Sequence, residues 1–286
     1  MLEIGTDRLC LSLHAPDDGF YRGTRFDHSG VFGSVRLGGT EFCGRWFEHY
    51  DPFMHDAVCG PAEEFSLMGL PSGESLKIGV GLLDTGPEPY DRFKLYPVTD
   101  AGEWTVEQLS GAVLFRHRLK GCYTYEKTVS ITGEQSFQIS HVLEAELALE
   151  GEVYNHNFFT LGRLAVGPER QMDFPFVPDG HWRAVYDSVA FQGKGIRFSR
   201  TLQAGESVFT GDIREKGAQG MPYEMTLREG LVSVHIRGSV PVTHTVLWAN
   251  HRVACLEPYN RLSLRPGAPF RWSVDYHLSA PSNGNN

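Results

Sequence analysis

Tyr123-Thr124-Tyr125-Glu126-Lys127-Thr128-Val129-Ser130-Ile131-Thr132 alternates apolar and polar side chains over ten residues, and Gly133-Glu134 follows as a turn. Ser136 to Glu144 then alternates again. A period of two is the signature of a strand with one buried face, and two such runs around a tight turn predict a hairpin. Working outward, the same pattern recurs on both sides. Val113, Phe115, His117 and Leu119 alternate with Leu114, Arg116 and Arg118, and Leu231 to Arg237 places Val232, Val234 and Ile236 on one face. Val31–Leu37, Gly38-Gly39 and Thr40–Cys43 predict another hairpin, Lys77–Leu83 a strand, and Leu95–Pro97 a short one. Glu152–Asn155, Val189–Phe191, Ile196–Ser199, Ser207–Phe209, Tyr223–Leu227, Val242–Ala249, Val253–Leu256 and Phe270–Leu278 complete the series.

Residues 1–20 show little pattern, and no segment of a dozen residues has helical periodicity. Many short strands with turn signals predict an all-β fold, a large antiparallel β-sandwich. There is no break in composition, so one domain is expected over 1–286, with 279–286 a polar, frayed tail. Residues 44–75 are aromatic and polar without a clean period and predict a long ordered loop, either a functional one or an aromatic-stapled surface segment.

Composition excludes several classes. The 286 residues are 41% hydrophobic and 21% charged, with 26 basic against 35 acidic side chains and a net charge of −9. No basic stripe is present to neutralise phosphates, so neither nucleic acid nor an anionic membrane is an expected partner. No apolar run is long enough to span a bilayer, and Met1-Leu-Glu-Ile-Gly-Thr-Asp-Arg lacks the basic start and apolar stretch of a signal peptide. Five cysteines, an odd number without a Cys-x-x-Cys pair, predict free buried thiols in a reducing compartment. The expected location is cytoplasmic. Gly79, Gly81 and Gly86 have the wrong spacing for a dinucleotide fingerprint.

Two places carry chemistry. In Tyr154-Asn155-His156-Asn157-Phe158-Phe159-Thr160-Leu161, a histidine that titrates near neutrality is flanked by amides and aromatic rings. A hydrogen-bonded structural histidine would read the same way. In Val253-Ala254-Cys255-Leu256-Glu257-Pro258, a carboxylate closes an apolar run, and Pro258 is expected to end the strand because it has no amide hydrogen. A buried carboxylate there must be paired, or solvated by a cleft. Trp248 offers an aromatic ring that either stacks on a ligand or packs in the core. His49, Asp51, His55 and Asp56 form no diagnostic metal spacing.

Asn155-His156-Asn157-Phe158-Phe159-Thr160-Leu161 resembles the Asn-His-x-aromatic-aromatic-Asn-Leu motif of the aldose 1-epimerase (galactose mutarotase-like) superfamily, with Thr160 where the family has Asn. Cys255-Leu256-Glu257-Pro258 resembles its Cys-aliphatic-Glu-Pro segment, and Leu264-Arg265-Pro266-Gly267 its Leu-x-Pro-Gly turn. The Leu-His-Gly-Gly stretch and the early Asn-Arg pair of typical members have no match. The resemblance implies a sugar groove across one sheet, with His156 as general acid and Glu257 as general base, interconverting α and β anomers without a cofactor or metal. Arg25, Arg45, Asn155, Asp187 and Trp248 are the candidate sugar contacts. The expected partner is a small-molecule sugar, and the expected assembly a monomer or homodimer. A hexose-6-phosphate 1-epimerase, a non-catalytic carbohydrate-binding protein and a hydrolase or lyase on the same fold are the competing readings. The last would need a second carboxylate beside Glu257.

Overall fold

The computed structural model describes residues 1–281 with the exception of Leu164. Among the described residues there is no helix, and every strand pairing is antiparallel. Two sheets dominate. The larger has ten strands, in the order Glu103–Leu109, Ala112–Leu119, Tyr123–Gly133, Ser136–Ala145, Phe270–Ser279, Val232–Gly238, Glu224–Glu229, Arg170–Asp173, Gly195–Phe198 and Val189–Gln192. The smaller has five, in the order Ser207–Phe209, His244–Asn250, Ala254–Leu264, Leu149–Phe158 and Gly60–Phe65. Among the described residues no helix is long and apolar enough to cross a membrane.

Alternation builds the interior. On the large sheet, Val129, Phe137, Ile139, Val274, Tyr276 and Leu278 point inward and are buried, while their sequence neighbours face out. Each such side chain contributes roughly 1.5–3 kcal/mol of transfer free energy. The same inward stripe carries Lys127 and His141, which a purely apolar core would exclude. They meet Glu63 of the small sheet, Lys127 Nζ at 2.5 Å and His141 Nε2 at 3.2 Å. Tyr223 donates to Asn155 and Tyr276 to Asn157 across the same gap. The two sheets are thus joined by a buried polar layer inside an apolar frame. The segment around Tyr21, Phe26, Trp46 and Phe47 covers the opposite, outer face of the small sheet.

Several expected boundaries move. Residues 1–20 contain two strands, Leu2–Gly5 and Leu9–His14, with Leu9, Leu11 and Leu13 buried. The long loop ends at Cys59, because Gly60–Phe65 forms the edge strand of the small sheet. The strand expected over Lys77–Leu83 is split into Ser75–Lys77 and Gly81–Leu83. Gly79 at the break has φ +76°, and a Cβ there would lie 2.2 Å from Asp27 Oδ1, so only glycine fits. Glu103–Leu109 is an unforeseen strand whose side chains are largely exposed on both faces, which erases the alternation. The strand expected over Leu95–Pro97 lies at Val98–Asp100. The expected tail, 279–286, begins on the last residue of a strand, and 282–286 lie outside the described residues.

Pro258 does not end its strand, which runs from Ala254 to Leu264. Pro258 lies opposite Thr245, whose own N–H and C=O both bond Ile213 on the far side. The missing donor of Pro258 therefore points the other way, toward Leu149–Phe158. The ladder with that strand runs from Leu149 opposite Leu264 to Tyr154 opposite Tyr259 and stops there. Beyond it the side-chain amide of Asn157 donates to Leu256 O at 2.9 Å in place of a backbone group. The proline thus sits where the two strands have stopped pairing, and no ladder bond is lost.

Candidate active site

His156 and Glu257 lie on the neighbouring strands that part at this point. Strand geometry sends alternate residues to opposite faces. On Leu149–Phe158, Tyr154, His156 and Phe158 share the outer face, and the ring of His156 stacks on that of Phe158 at 3.8 Å. On Ala254–Leu264, Cys255, Glu257 and Tyr259 share it, and Tyr259 stacks on Tyr154 at 4.3 Å. His156 Nε2 stands 3.3 Å from Glu257 Oε1. Both residues are buried, and His156 Nδ1 has no hydrogen-bond partner among the described residues.

The two face one cavity of about 510 Å³, whose walls include Trp46, Phe158, Trp248 and Tyr259. That volume is in the range of about 300–1,000 Å³ usual for small-molecule sites, and aromatic walls suit the apolar faces of a sugar. Burial holds the imidazole well below its ordinary range, and the charges of Arg25 and Arg92 add to the effect. Burial likewise pushes Glu257 up to about 7, against the pull of Arg25. Up to about pH 7 the pair therefore holds one transferable proton between its two members.

The other sequence candidates are placed unequally. Arg25 and Trp248 line the cavity. Arg25 is buried, with Nε 2.6 Å from Glu64 Oε2 and its guanidinium over the Phe26 ring. Asn155 turns away, because it is one residue from His156 on the strand. Its amide nitrogen donates to Glu63 at 3.0 Å and its oxygen accepts from Tyr223, on the core side of the sheet. Arg45 lines a separate concavity with Thr160 and Arg163, its guanidinium over Phe47 and Tyr50. Asp187 is on the surface, paired with Arg200 at 2.7 Å. None of these three lines the cavity.

Structure adds residues that the sequence reading does not name as sugar contacts. Tyr154, Phe158 and Tyr259 follow from alternation about His156 and Glu257 and were legible. His55, Asp56, Arg92, Phe93 and Arg183 reach the cavity from connections without periodicity, and no local pattern marks them. Among the described residues no cluster of three or more His, Cys, Asp or Glu side chains is placed to hold a metal ion. The possible set around His49 and His55 is not gathered.

No protein-family model and no curated protein matches the chain. Solved structures do. The Slr1438 protein of Synechocystis superposes with a TM-score of 0.60 at 13% identity, over 98% of this chain and 96% of that one. A galactose mutarotase related enzyme from Lactobacillus acidophilus gives 0.58 at 10% identity, covering 99% and 98%. The GalM/aldose epimerase homologue from C. elegans gives 0.60 at 15% identity, covering 98% and 99%. The chain has the galactose mutarotase-like fold. Within that fold, the departure at Thr160 has a local explanation. Thr160 Oγ1 accepts from Gly44 N and donates to Phe42 O, and Arg170 donates to the carbonyls of Phe159 and Thr160. These bonds hold the turn after the His156 strand, in which Leu161 adopts φ +52°.

Proposed function

We propose that the chain is a mutarotase-like epimerase that interconverts the α and β anomers of an aldose, with His156 as general acid and Glu257 as general base. The observation that carries this is the close pair on adjacent strands, at the floor of an aromatic-walled cavity. The pair leaves no room for a pyranose between its members. At 3.3 Å they are in contact instead, and the chemistry accommodates this. The anomeric hydroxyl and the ring oxygen are bonded to the same carbon, so an acid and a base that serve both must stand close together, and the sugar docks over the pair.

The pair's one proton passes from Glu257 to His156 across their 3.3 Å contact. Glu257 then takes the hydroxyl proton, the O–H electrons form the carbonyl, the bond from the anomeric carbon to the ring oxygen breaks, and that oxygen takes the proton of His156. Rotation about the bond between the first and second carbons presents the other carbonyl face. Ring closure returns each proton to its donor, so the proton count closes with no further reactant. Positioned groups of this kind contribute on the order of 10²–10⁴-fold each.

The test is two-dimensional exchange NMR of aldoses with and without the protein. Accelerated exchange that is lost in Glu257→Gln is the expected result. A Glu257→Gln variant with wild-type activity, or no acceleration of any aldose, refutes the reading, and the latter leaves a carbohydrate-binding role.

One observation favours a phosphorylated aldose as substrate. Arg183 donates through Nε to Thr210 O and lies 3.7 Å from the Phe209 ring centroid, and among the described residues no carboxylate pairs with it. It is at the Ser207–Phe209 end of the small sheet, two strands from Glu257, which is about 10 Å at ordinary strand spacing. Arg183→Gln should raise KM for an aldose phosphate by about 10–100-fold, the usual worth of a hydrogen bond to a charged group, and leave KM for the neutral aldose unchanged. Equal effects on both substrates rule out the phosphorylated form.

A further inference from the structure

Glu64 is the buried hub of the outer face. It sits on the edge strand Gly60–Phe65, opposite Tyr154, two strands from Glu257. Four donors converge on its carboxylate. Arg25 Nε is at 2.6 Å, Arg92 Nε at 3.5 Å and Lys77 Nζ at 3.6 Å, and the Tyr154 hydroxyl also donates to it. Arg25 and Arg92 each also donate to the Tyr154 oxygen at 3.1 Å. Lys77 is fully buried and reaches Tyr90 as its other partner. Three cations thus surround one carboxylate, and two of them, Arg25 and Arg92, line the cavity that holds His156 and Glu257. A lone carboxylate inside this wall does no proton chemistry itself, yet removing it would leave three neighbouring cations uncompensated.

We propose that Glu64 is a positioning residue: it anchors Arg25 and Arg92 beside His156 and Glu257, offsets their charge, and so fixes the upper pH limit at which the pair still holds its transferable proton. The proposal rests on the acid–base reading of that pair. Its physical basis is the buried setting, where charges interact far more strongly than in water. Further titratable groups stand around Glu257 on the elements packed against it, and the strand His244–Asn250 brings His244, stacked on Tyr259 at 4.3 Å. Its own strand supplies Tyr259 and Cys255, and the neighbouring strand supplies His156 and Tyr154. The connection before Gly60 brings His55 and Asp56 into the cavity wall, and Arg183 stands at the far end. Of all these, Arg25, Arg92 and Glu64 are the charges that bear most directly on the Glu257 carboxyl, the arginines favouring its ionised form and Glu64 opposing it.

The experiment is the pH profile of kcat/KM, joined to a ¹³C NMR titration of the Glu257 carboxyl, assigned by its loss in Glu257→Gln. In Glu64→Gln both the alkaline limb and the carboxyl titration should fall by on the order of one pH unit. In Lys77→Met both should rise. The double variant Glu64→Gln/Lys77→Met, which removes one charge of each sign, should return them near wild type. A merely structural role for Glu64 predicts no such reversal. An unmoved or raised titration in Glu64→Gln overturns the proposal, as does a double variant displaced as far as the single one. If Glu64→Gln does not fold, Lys77→Met and the double variant decide it by the same comparison. If the wild-type protein accelerates no anomer exchange, the proposed function fails, and the carboxyl titration still judges Glu64.

Discussion

Glu257 keeps its proton up to about pH 7 because burial penalises the ionised carboxylate more than Arg25 and Arg92 favour it. An acid–base step needs one proton on the pair and one vacancy, which the singly protonated pair supplies. Since His156 is held low and Glu257 high, kcat/KM should fall as pH rises through about 7, and a profile still climbing at pH 8 would contradict this. The same shift has a stability sign. A carboxyl whose folded value of about 7 exceeds its ordinary 4.5 contributes stability that is whole below the ordinary value and is lost as pH rises through 7. Glu257→Gln keeps the shape and removes the titration. It should melt several degrees above wild type at pH 8 and no higher than wild type at pH 4, at about 2–4 °C per kcal/mol for a chain of this size. Equal melting temperatures at both values would mean that the carboxylate is well solvated.

At the scale of elements, the strand decides what a residue can do. The Asn155 amide is suited to a sugar hydroxyl and adjoins His156 in sequence, yet adjacency on a strand means opposite faces. Its amide bridges Glu63 and Tyr223 in the interior. Asn155→Ala should therefore cost stability, roughly 1.5–3 kcal/mol for a buried bond to a charged group, while KM for the sugar stays within two-fold, about the scatter of such measurements. Urea denaturation and steady-state kinetics on one preparation separate the two effects, and a large KM change with unaltered stability would put Asn155 in the site. The alternation rule, applied to His156 and Glu257, marks Tyr154, Phe158 and Tyr259 as their companions. It says nothing of Arg92 or Arg183, whose connections have no period to read.

Across the whole molecule, the polar layer between the sheets binds the site to its support. Burial opposes ionisation of Glu63, but Lys127 and His141 hold its carboxyl at about 2, whereas Asp27 close by is raised to about 6. Lys127 is the shared cation, 2.5 Å from Glu63 and 3.9 Å from Asp27. Lys127→Met leaves two buried carboxyls without it and should cost roughly 3–5 kcal/mol in equilibrium denaturation. The pair variant Lys127→Met/Glu63→Gln should recover much of that. A Lys127→Met protein as stable as wild type would show that the layer admits water.

The amino-acid sequence alone determined the all-β class, most of the strands and the two chemical segments, because period-two alternation is a local consequence of pleated backbone and a buried face. Runs such as Tyr123–Gly133 carry that signal in full, while Glu103–Leu109, exposed on both faces, carries none. Only the tertiary structure decided that His156 and Glu257 touch, that Pro258 lies within a strand at the parting of two neighbours, and that Glu64 gathers cations from three separate segments. Those facts depend on which strands become neighbours and where connections fold back, and contacts between residues far apart in the chain leave no periodic trace in it.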